Sequence, residues 1–565
     1  PGRSLTVGAD TIVAPIEPPT SPRRPAPPAP GAGPRPAWWA PVLVILVVVA
    51  AVLRLVHLGD RPMHHDESLD AWWAWRLLEG EPYTYDPVYH GPLRFFVTAG
   101  FFRVLGESEA TARLLAALCG TALVALAGAT RRWLGNVGSI TAAALLCVSP
   151  SMLYFSRFGR EDLPFAVAEL ALVLLVVAWL RQPATWHPPV LGAVLAAAFA
   201  IKETSFIVVA VLGVYVGALM VLELTDRRRG RTTPPAARAW SAFLAPGPRA
   251  LVQGVVAFAF TFSLLFSVGF TDLGGIGAGA FDGISYWLSQ QPVNRGSQPW
   301  PYYLAILAGY EWPILLLAGA GLVVAVRRPD PVRGLLVWHA LANLAVYSWA
   351  SERFPWLVVH PLVPLILLAG LGAEALYRRL PRLLVTAPAP LTPRRVGLGA
   401  AAVTLAALVV LAVPPVYRDP SSPHHLLVAV QTSPELVAIR DRVEARYLLA
   451  PPDDPPRVVI DTRDSATWPW AWYLRDRPVL YADLGQDPDA VVGADVVLTI
   501  YDQSGLLPAP GPGWTEVVPY DHRVWWLPPW DQAGAGDWLG WITRREAFGG
   551  FGSLETVELV AGNGW

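Results

Sequence analysis

Four short stretches of the chain gather more ionisable side chains than packing alone requires. The first is Met63-His64-His65-Asp66-Glu67-Ser68, two imidazoles beside two adjacent carboxylates. A carboxylate flanked by groups that tune its proton affinity is equipped to act as a general base. The same residue types also suit a helix N-terminus, where Asp, Glu and Ser satisfy orphan N–H groups, so the pattern alone leaves both readings open. The second stretch is Ser156-Arg157-Phe158-Gly159-Arg160-Glu161-Asp162, with four charges in six residues. The third is Lys202-Glu203 and the fourth Ser351-Glu352-Arg353-Phe354-Pro355-Trp356. Of the 43 Lys and Arg residues in the chain, Lys202 alone is lysine. A sequence that otherwise uses arginine keeps there a compact ammonium rather than a planar fork.

The elements that must position these stretches are apolar. The 565 residues are 53% hydrophobic and 15% charged, with a mean hydropathy of +0.40, whereas a soluble domain carries charge on about a quarter of its residues. The composition predicts an α-helical polytopic membrane protein. About eleven transmembrane helices are expected, each near the ~20 residues that cross a bilayer: 38–58, 110–130, 138–154, 163–180, 189–201, 204–224, 250–270, 302–326, 333–350, 356–376 and 397–415. A net charge of -1 leaves no basic excess for a nucleic-acid backbone. Cys119 and Cys147 both lie in apolar runs, which argues against a disulfide framework and a cysteine metal cage.

Residues 1–36 hold eleven prolines and no apolar periodicity, and are expected to form a disordered cytoplasmic tail. A transmembrane domain is expected over 37–415 and a small extracytoplasmic α/β domain over 416–565, with strands in RVVID, PVLYADL and DVVLTIYD and a helix from Trp468 to Arg475. Arginine in the short loops, including the run from Arg227 to Arg231, orients the chain in the cell membrane with its N-terminus inside. All four ionisable stretches then fall on the outer face. In the first outer loop, Leu69, Trp72, Trp73, Arg76 and Leu77 share one helical face, and Gly91 to Leu105 is apolar but short. Both are expected to form interfacial helices.

Arg157, Arg160, Lys202 and Arg353 thus share a face with Asp66 and Glu67. Cations at one depth suit an anionic lipid head group, phosphate above all, and a carboxylate base beside them points to transfer from a lipid phosphate. If a sugar is transferred, one base with direct attack implies inversion at the anomeric carbon.

The strings HHDESLDAWWAWRLLEG, YDPVYHGPLRFF, SRFGRED, KETSF and SWASERFPWLVVHPLVP resemble the archaeal-type flippase-activity-associated glycosylation proteins. These are similar in turn to the multi-span glycosyltransferases of the C superfamily, among them protein O-mannosyltransferases and the lipid A aminoarabinose transferase. The resemblance implies a polyprenyl-phosphate-linked sugar donor in the bilayer and a glycan, lipid or protein acceptor. It places the catalytic carboxylate of the first outer loop on Asp66 with Glu67 beside it, the acidic turn on Arg160, Glu161 and Asp162, a lysine facing donor phosphate on Lys202 and a basic residue before proline on Arg353. Read from the residues, Arg157, Arg160, Lys202 and Arg353 would hold donor phosphate, and His65, His90, Glu161, Asp162 and Glu203 would position substrate or a cation. No Asp-x-Asp triplet occurs in the second outer loop, so no cofactor is assured. His64, His65, His90 and Glu161 leave a divalent metal open. A lipid-linked-sugar flippase and a non-catalytic partner of glycosylation enzymes are the alternatives.

Overall fold

The computed structural model describes residues 34–293, 296, 298–383, 392–506, 514–516 and 519–561; all but the end of the expected tail lies outside them. Apolar helices dominate, as expected. Six described helices are long and apolar enough to cross a membrane: Glu109–Leu134, Asp162–Arg181, Ser205–Arg228, Pro248–Phe266, Pro355–Arg382 and Pro393–Arg418. Trp39–Leu55, Asn136–Val148 and His187–Ile201 are shorter apolar helices, and Pro331–Trp349 fills the expected 333–350 stretch.

Two expected spans are interrupted. The 302–326 stretch bends by 103° between Tyr302–Tyr310 and Trp312–Arg327. Pro313 starts the second helix, and the Glu311 carboxylate at the corner accepts from the Ser149 hydroxyl at 2.9 Å and the Ser151 N–H at 2.8 Å. The 138–154 stretch breaks at Ser149-Pro150, where proline opens a second helix, Pro150–Phe155. The two breaks therefore meet, and the buried carboxylate satisfies backbone and hydroxyl donors at the junction.

The two short helices expected after the first span form at His65–Leu78 and Leu93–Leu105. The first buries Glu67, Ser68, Ala71 and Ala74 rather than its tryptophan face. Ala71 and Ala74 pack with Leu436, Ile439, Trp470 and Trp472 of the C-terminal region. Trp72 and Trp73 instead lie under the Arg76 guanidinium, 4.6 and 5.0 Å from their ring centres.

The C-terminal region contains a mixed sheet of β1 (Gln431–Thr432), β2 (Val458–Asp461), β3 (Val479–Ala482), β4 (Val496–Ile500), β5 (Trp514–Glu516), β6 (Tyr520–Trp526) and β7 (Phe551–Ala561). Its order is β1-β6-β7-β4-β2-β3, with β5 on β7. β2 runs parallel to β3 and β4, and both β2 and β4 are buried throughout, which accounts for their unbroken apolar runs. The three expected strands are β2, β3 and β4, while the expected 468–475 helix shrinks to Trp470–Tyr473. Trp526 and Trp541 are buried in one core with Tyr302, Tyr310 and Leu362 of the helical bundle. The sheet region and the bundle thus share apolar packing.

Candidate active site

The site is assembled around the N-terminus of helix His65–Leu78. His64 caps it: its Nδ1 accepts the Asp66 N–H at 3.0 Å, which leaves Nε2–H to donate to the Ala429 carbonyl at 2.8 Å. Glu67 completes the capping box by accepting the His64 N–H at 3.0 Å. Its carboxylate is fully buried and also receives Arg113 Nε at 2.7 Å, Arg61 Nη2 at 3.2 Å and the Gly159 N–H at 2.6 Å. Glu67 was expected beside Asp66 in catalysis. Its geometry instead makes it the anchor that ties the first loop, helix Glu109–Leu134 and the 155–161 turn together.

That anchor leaves the preceding side chain, Asp66, facing a cavity of about 420 Å3, with 28% of the side chain exposed. Arg160 closes on it in an ion pair. Burial opposes the carboxylate's charge, but the Arg160 guanidinium beside it outweighs burial and holds Asp66 down to about 2. Burial pushes the His65 imidazole down to about 3, so it is neutral near pH 7. Arg523 Nη1 lies 3.1 Å from His65 Nδ1; a guanidinium only donates, so the His65 proton sits on Nε2, the nitrogen 3.9 Å from Asp66.

Arg160 is the seam between two cavities. The first contains Asp66, Asp70, Tyr89, Ser465 and Trp468; the second, of about 160 Å3, contains Lys202 and the apolar Phe206, Ile207, Val346 and Leu357. His90, Arg160, Trp287, Glu352 and Trp356 line both. Behind the seam, Arg160 Nη2 lies 2.9 Å from Glu161, and Lys202 Nζ lies 2.6 Å from Asp162 and 3.2 Å from Glu161. His90 reaches Glu203 at 2.9 Å and Glu161 at 3.4 Å. Glu203 also accepts the Tyr85 hydroxyl at 2.8 Å. A glycine makes this approach feasible: a Cβ at Gly91 would stand 2.2 Å from the Ala200 carbonyl oxygen, so only glycine lets the His90 loop lie against the end of helix His187–Ile201.

The structure therefore brings together Asp66, His65, His90, Arg160, Glu161, Asp162, Lys202 and Glu203. Two expected phosphate ligands lie elsewhere. Arg157 donates to the carbonyls of Leu53, Arg54, Val56 and His57, capping the C-terminal end of the first helix, where cations are stabilised. Arg353 donates to the Ser348 and Gln298 carbonyls at 3.0 and 2.6 Å. Arginine forks suit carbonyl clusters as well as phosphate, and sequence spacing does not separate the two uses.

The four residues left open for a metal do not converge on one point. His64 is spent on the cap and the Ala429 carbonyl, and among the described residues no group of three or more His, Cys, Asp or Glu has metal-holding geometry. Asp70 and Arg94 were not singled out from sequence. They form an ion pair at the cavity wall, and Arg94 also reaches Glu161 at 2.9 Å. Asp70 lies one helical turn beyond Asp66 and so on the same face, which was the available signal. Glu169, inside the fourth expected span, accepts from His339 at 2.8 Å, Asn343 at 3.0 Å and His360 at 3.2 Å.

Residues 89–235 match the family described as dolichyl-phosphate-mannose-protein mannosyltransferase. A stretch of 76 residues is 40% identical to undecaprenyl phosphate-alpha-4-amino-4-deoxy-L-arabinose arabinosyl transferase 1 of Pseudomonas fluorescens. It spans 13% of this chain and only 14% of that protein. The fold is similar to ArnT of Cupriavidus metallidurans bound to undecaprenyl phosphate, with a TM-score of 0.59 and 16% identity over 93% of this chain and 99% of that one. It is also similar to the apo oligosaccharyltransferase of Archaeoglobus fulgidus, with a TM-score of 0.52 and 13% identity over 82% and 70% of the two chains.

Proposed function

We propose that the protein is a membrane glycosyltransferase that moves a sugar from a polyprenyl-phosphate donor to an acceptor hydroxyl on the extracytoplasmic face, with inversion. The observation that carries this reading is the position of Arg160, paired with Asp66 in the polar cavity and lining the apolar cavity with Lys202. The first isoprene units of the donor lie among Phe206, Ile207, Val346 and Leu357, and its phosphate meets Arg160 and Lys202. The transferred sugar then sits at the seam beside Glu352, His90 and Trp287. The matched mannosyltransferase family and the undecaprenyl phosphate bound by ArnT support a lipid-linked donor.

The acceptor hydroxyl gives its proton to an Asp66 oxygen as its own oxygen attacks the anomeric carbon. The bond from that carbon to the phosphate oxygen breaks, and the electron pair leaves on polyprenyl phosphate, whose charge Arg160 and Lys202 neutralise. A carboxylate held at about 2 is a weak base. Donor phosphate competes for the Arg160 guanidinium, loosens its hold on Asp66 and raises the proton affinity of the base once the donor is bound. The reaction is thereby ordered, donor before proton transfer. The narrower resemblance to flippase-activity-associated glycosylation proteins fits this reading, since such a site meets donor lipid on the outer leaflet.

The test is transfer from a radiolabelled polyprenyl-phosphate sugar by the purified protein in lipid nanodiscs. Asp66→Asn should lower kcat by about 100- to 10,000-fold with little change in donor KM. An unchanged rate would remove Asp66 as the base, and retention of anomeric configuration in the product would overturn direct displacement.

A further inference from the structure

The polar cavity is completed from outside the bundle. Ser465 and Trp468 follow β2 and line the same chamber as Asp66. They arrive there through an unusual turn: Asp464 and Ser465 are consecutive non-glycine residues at φ 48° and 59°, a conformation that side chains disfavour and that persists when its surroundings fix it. The fixing contacts are present. Arg523 donates through Nη2 to the Asp464 carbonyl, and its Nη1 reaches His65. Arg463, at the start of the turn, grips the buried Asp461 carboxylate at the end of β2. One guanidinium therefore fixes both the turn that carries Ser465 and the imidazole next to Asp66.

Trp468 presents its ring against Trp72, with 5.6 Å between centroids and 75° between planes. On the acceptor side of the seam the wall thus offers the aromatic rings of Trp468 and Tyr89, the acid–arginine pairs Asp66–Arg160 and Asp70–Arg94, and the exposed residue Ser465. Aromatic faces carry negative quadrupole density that meets the weakly positive C–H face of a saturated ring. Carboxylates accept strong hydrogen bonds from hydroxyls at the rim of such a ring. Asp66 and Asp70 are already paired with Arg160 and Arg94, so an acceptor here meets a wall of balanced charge with hydrogen-bonding capacity to spare on the carboxyl groups, which suits a neutral polyhydroxyl molecule. The volume of about 420 Å3 is in the range of pockets that hold small ligands.

We propose that the acceptor is a carbohydrate, held against Trp468 and hydrogen-bonded by Ser465 and Asp70, so that the sheet region selects the acceptor while the bundle binds the donor. This rests on the glycosyl-transfer reading above.

The test uses the full chain in nanodiscs and saturation-transfer difference NMR with maltotriose, mannotriose and galactotriose, and with a serine- and threonine-containing hexapeptide as the competing class. At least one triose should receive saturation, concentrated on the C–H protons of one ring face. Trp468→Ala should weaken its binding by about tenfold, and Trp468→Phe, which keeps an aromatic face, should restore most of it. Ser465→Ala gives a second reading, about threefold weaker, if Trp468→Ala does not fold. Absence of triose binding, binding of the hexapeptide in place of trioses, or equal triose binding by wild type and the Trp468 and Ser465 variants would overturn the proposal. Release of polyprenyl phosphate from labelled donor is measured on the same preparations. Triose binding without release keeps the carbohydrate site and removes the transferase reading, whereas release without triose binding does the reverse.

Discussion

The Lys202 ammonium lies 2.6 Å from Asp162 and 3.2 Å from Glu161, so the chain's one lysine meets the apolar cavity already paired with two acids. Those acids are themselves buried, and the ammonium helps make their burial tolerable. A phosphate entering from the apolar side finds a fixed point charge that needs no reorganisation. Lys202→Met should raise donor KM by about 10- to 100-fold, with a smaller loss in kcat. Lys202→Arg should not restore donor affinity, because a planar fork cannot occupy the place of a compact ammonium between two carboxylates. Unchanged donor affinity in both variants would take Lys202 out of the phosphate site.

The ion pair between Arg160 and Asp66 makes a prediction in pH. With Asp66 held to about 2, its carboxylate is ionised in the free protein throughout the range in which turnover is measured. Asp66 therefore contributes no acid limb to kcat/KM, which reports the free enzyme. In Arg160→Gln the opposing cation is gone and burial is left to raise the proton affinity of Asp66 above that of an ordinary carboxylate. Activity should then fall as pH drops through about 5, where the wild type is flat. A variant profile parallel to the wild type, merely scaled down, would show that Arg160 does not set the charge state of Asp66.

Much of this site was readable from residue types. The strings around Asp66, Arg160 and Lys202 stood at the ends of apolar runs, and hydrophobicity fixes where such runs end. What could not be read was the direction of each guanidinium. Arg157 and Arg353 sit in the same strings as true cavity residues, yet both are consumed by backbone carbonyls, because a helix end or a turn offers an arginine as many acceptors as a phosphate does. Nor could spacing reveal that Glu67 and Asp66, adjacent in sequence, point to opposite fates, one into a cluster of arginines and the other into a cavity. Adjacent helical positions are about 100° apart, so one neighbour is buried as the other is exposed. The 103° bend at Glu311 was hidden for a similar reason: hydropathy is blind to direction, and a single buried carboxylate in an apolar stretch reads the same in a straight helix and a broken one.

The anchoring role of Glu67 is separable from catalysis by stability. Replacing it with Gln leaves Arg113, fully buried, and Arg61, nearly so, without the carboxylate they share. Breaking one side of a buried ion pair costs about 3–5 kcal/mol, so Glu67→Gln should unfold or aggregate at markedly lower temperature in a detergent thermal-shift measurement. The folded fraction should retain transfer activity within a few-fold. Wild-type thermal stability together with lost turnover would return Glu67 to the chemistry.

Glu169 offers the most remote of the testable connections. It lies inside an apolar helix, yet it collects His339, Asn343 and His360, and His360 Nε2 faces Asp162 at 3.5 Å. Asp162 in turn holds Lys202. A continuous chain of polar contacts therefore runs from Glu169 to the ammonium at the apolar cavity, and His360 is clamped by acids on both sides. Glu169→Gln should release that clamp and let Asp162 and Lys202 relax. Substitutions that act through packed neighbours shift binding by about 2- to 30-fold, so donor KM should rise within that range with kcat changed less than KM. Glu169→Asp, which keeps the charge on a shorter stem, should fall between Gln and wild type. If kcat fell instead while donor KM stayed constant, the cluster would be taking part in proton movement rather than holding Lys202 in place.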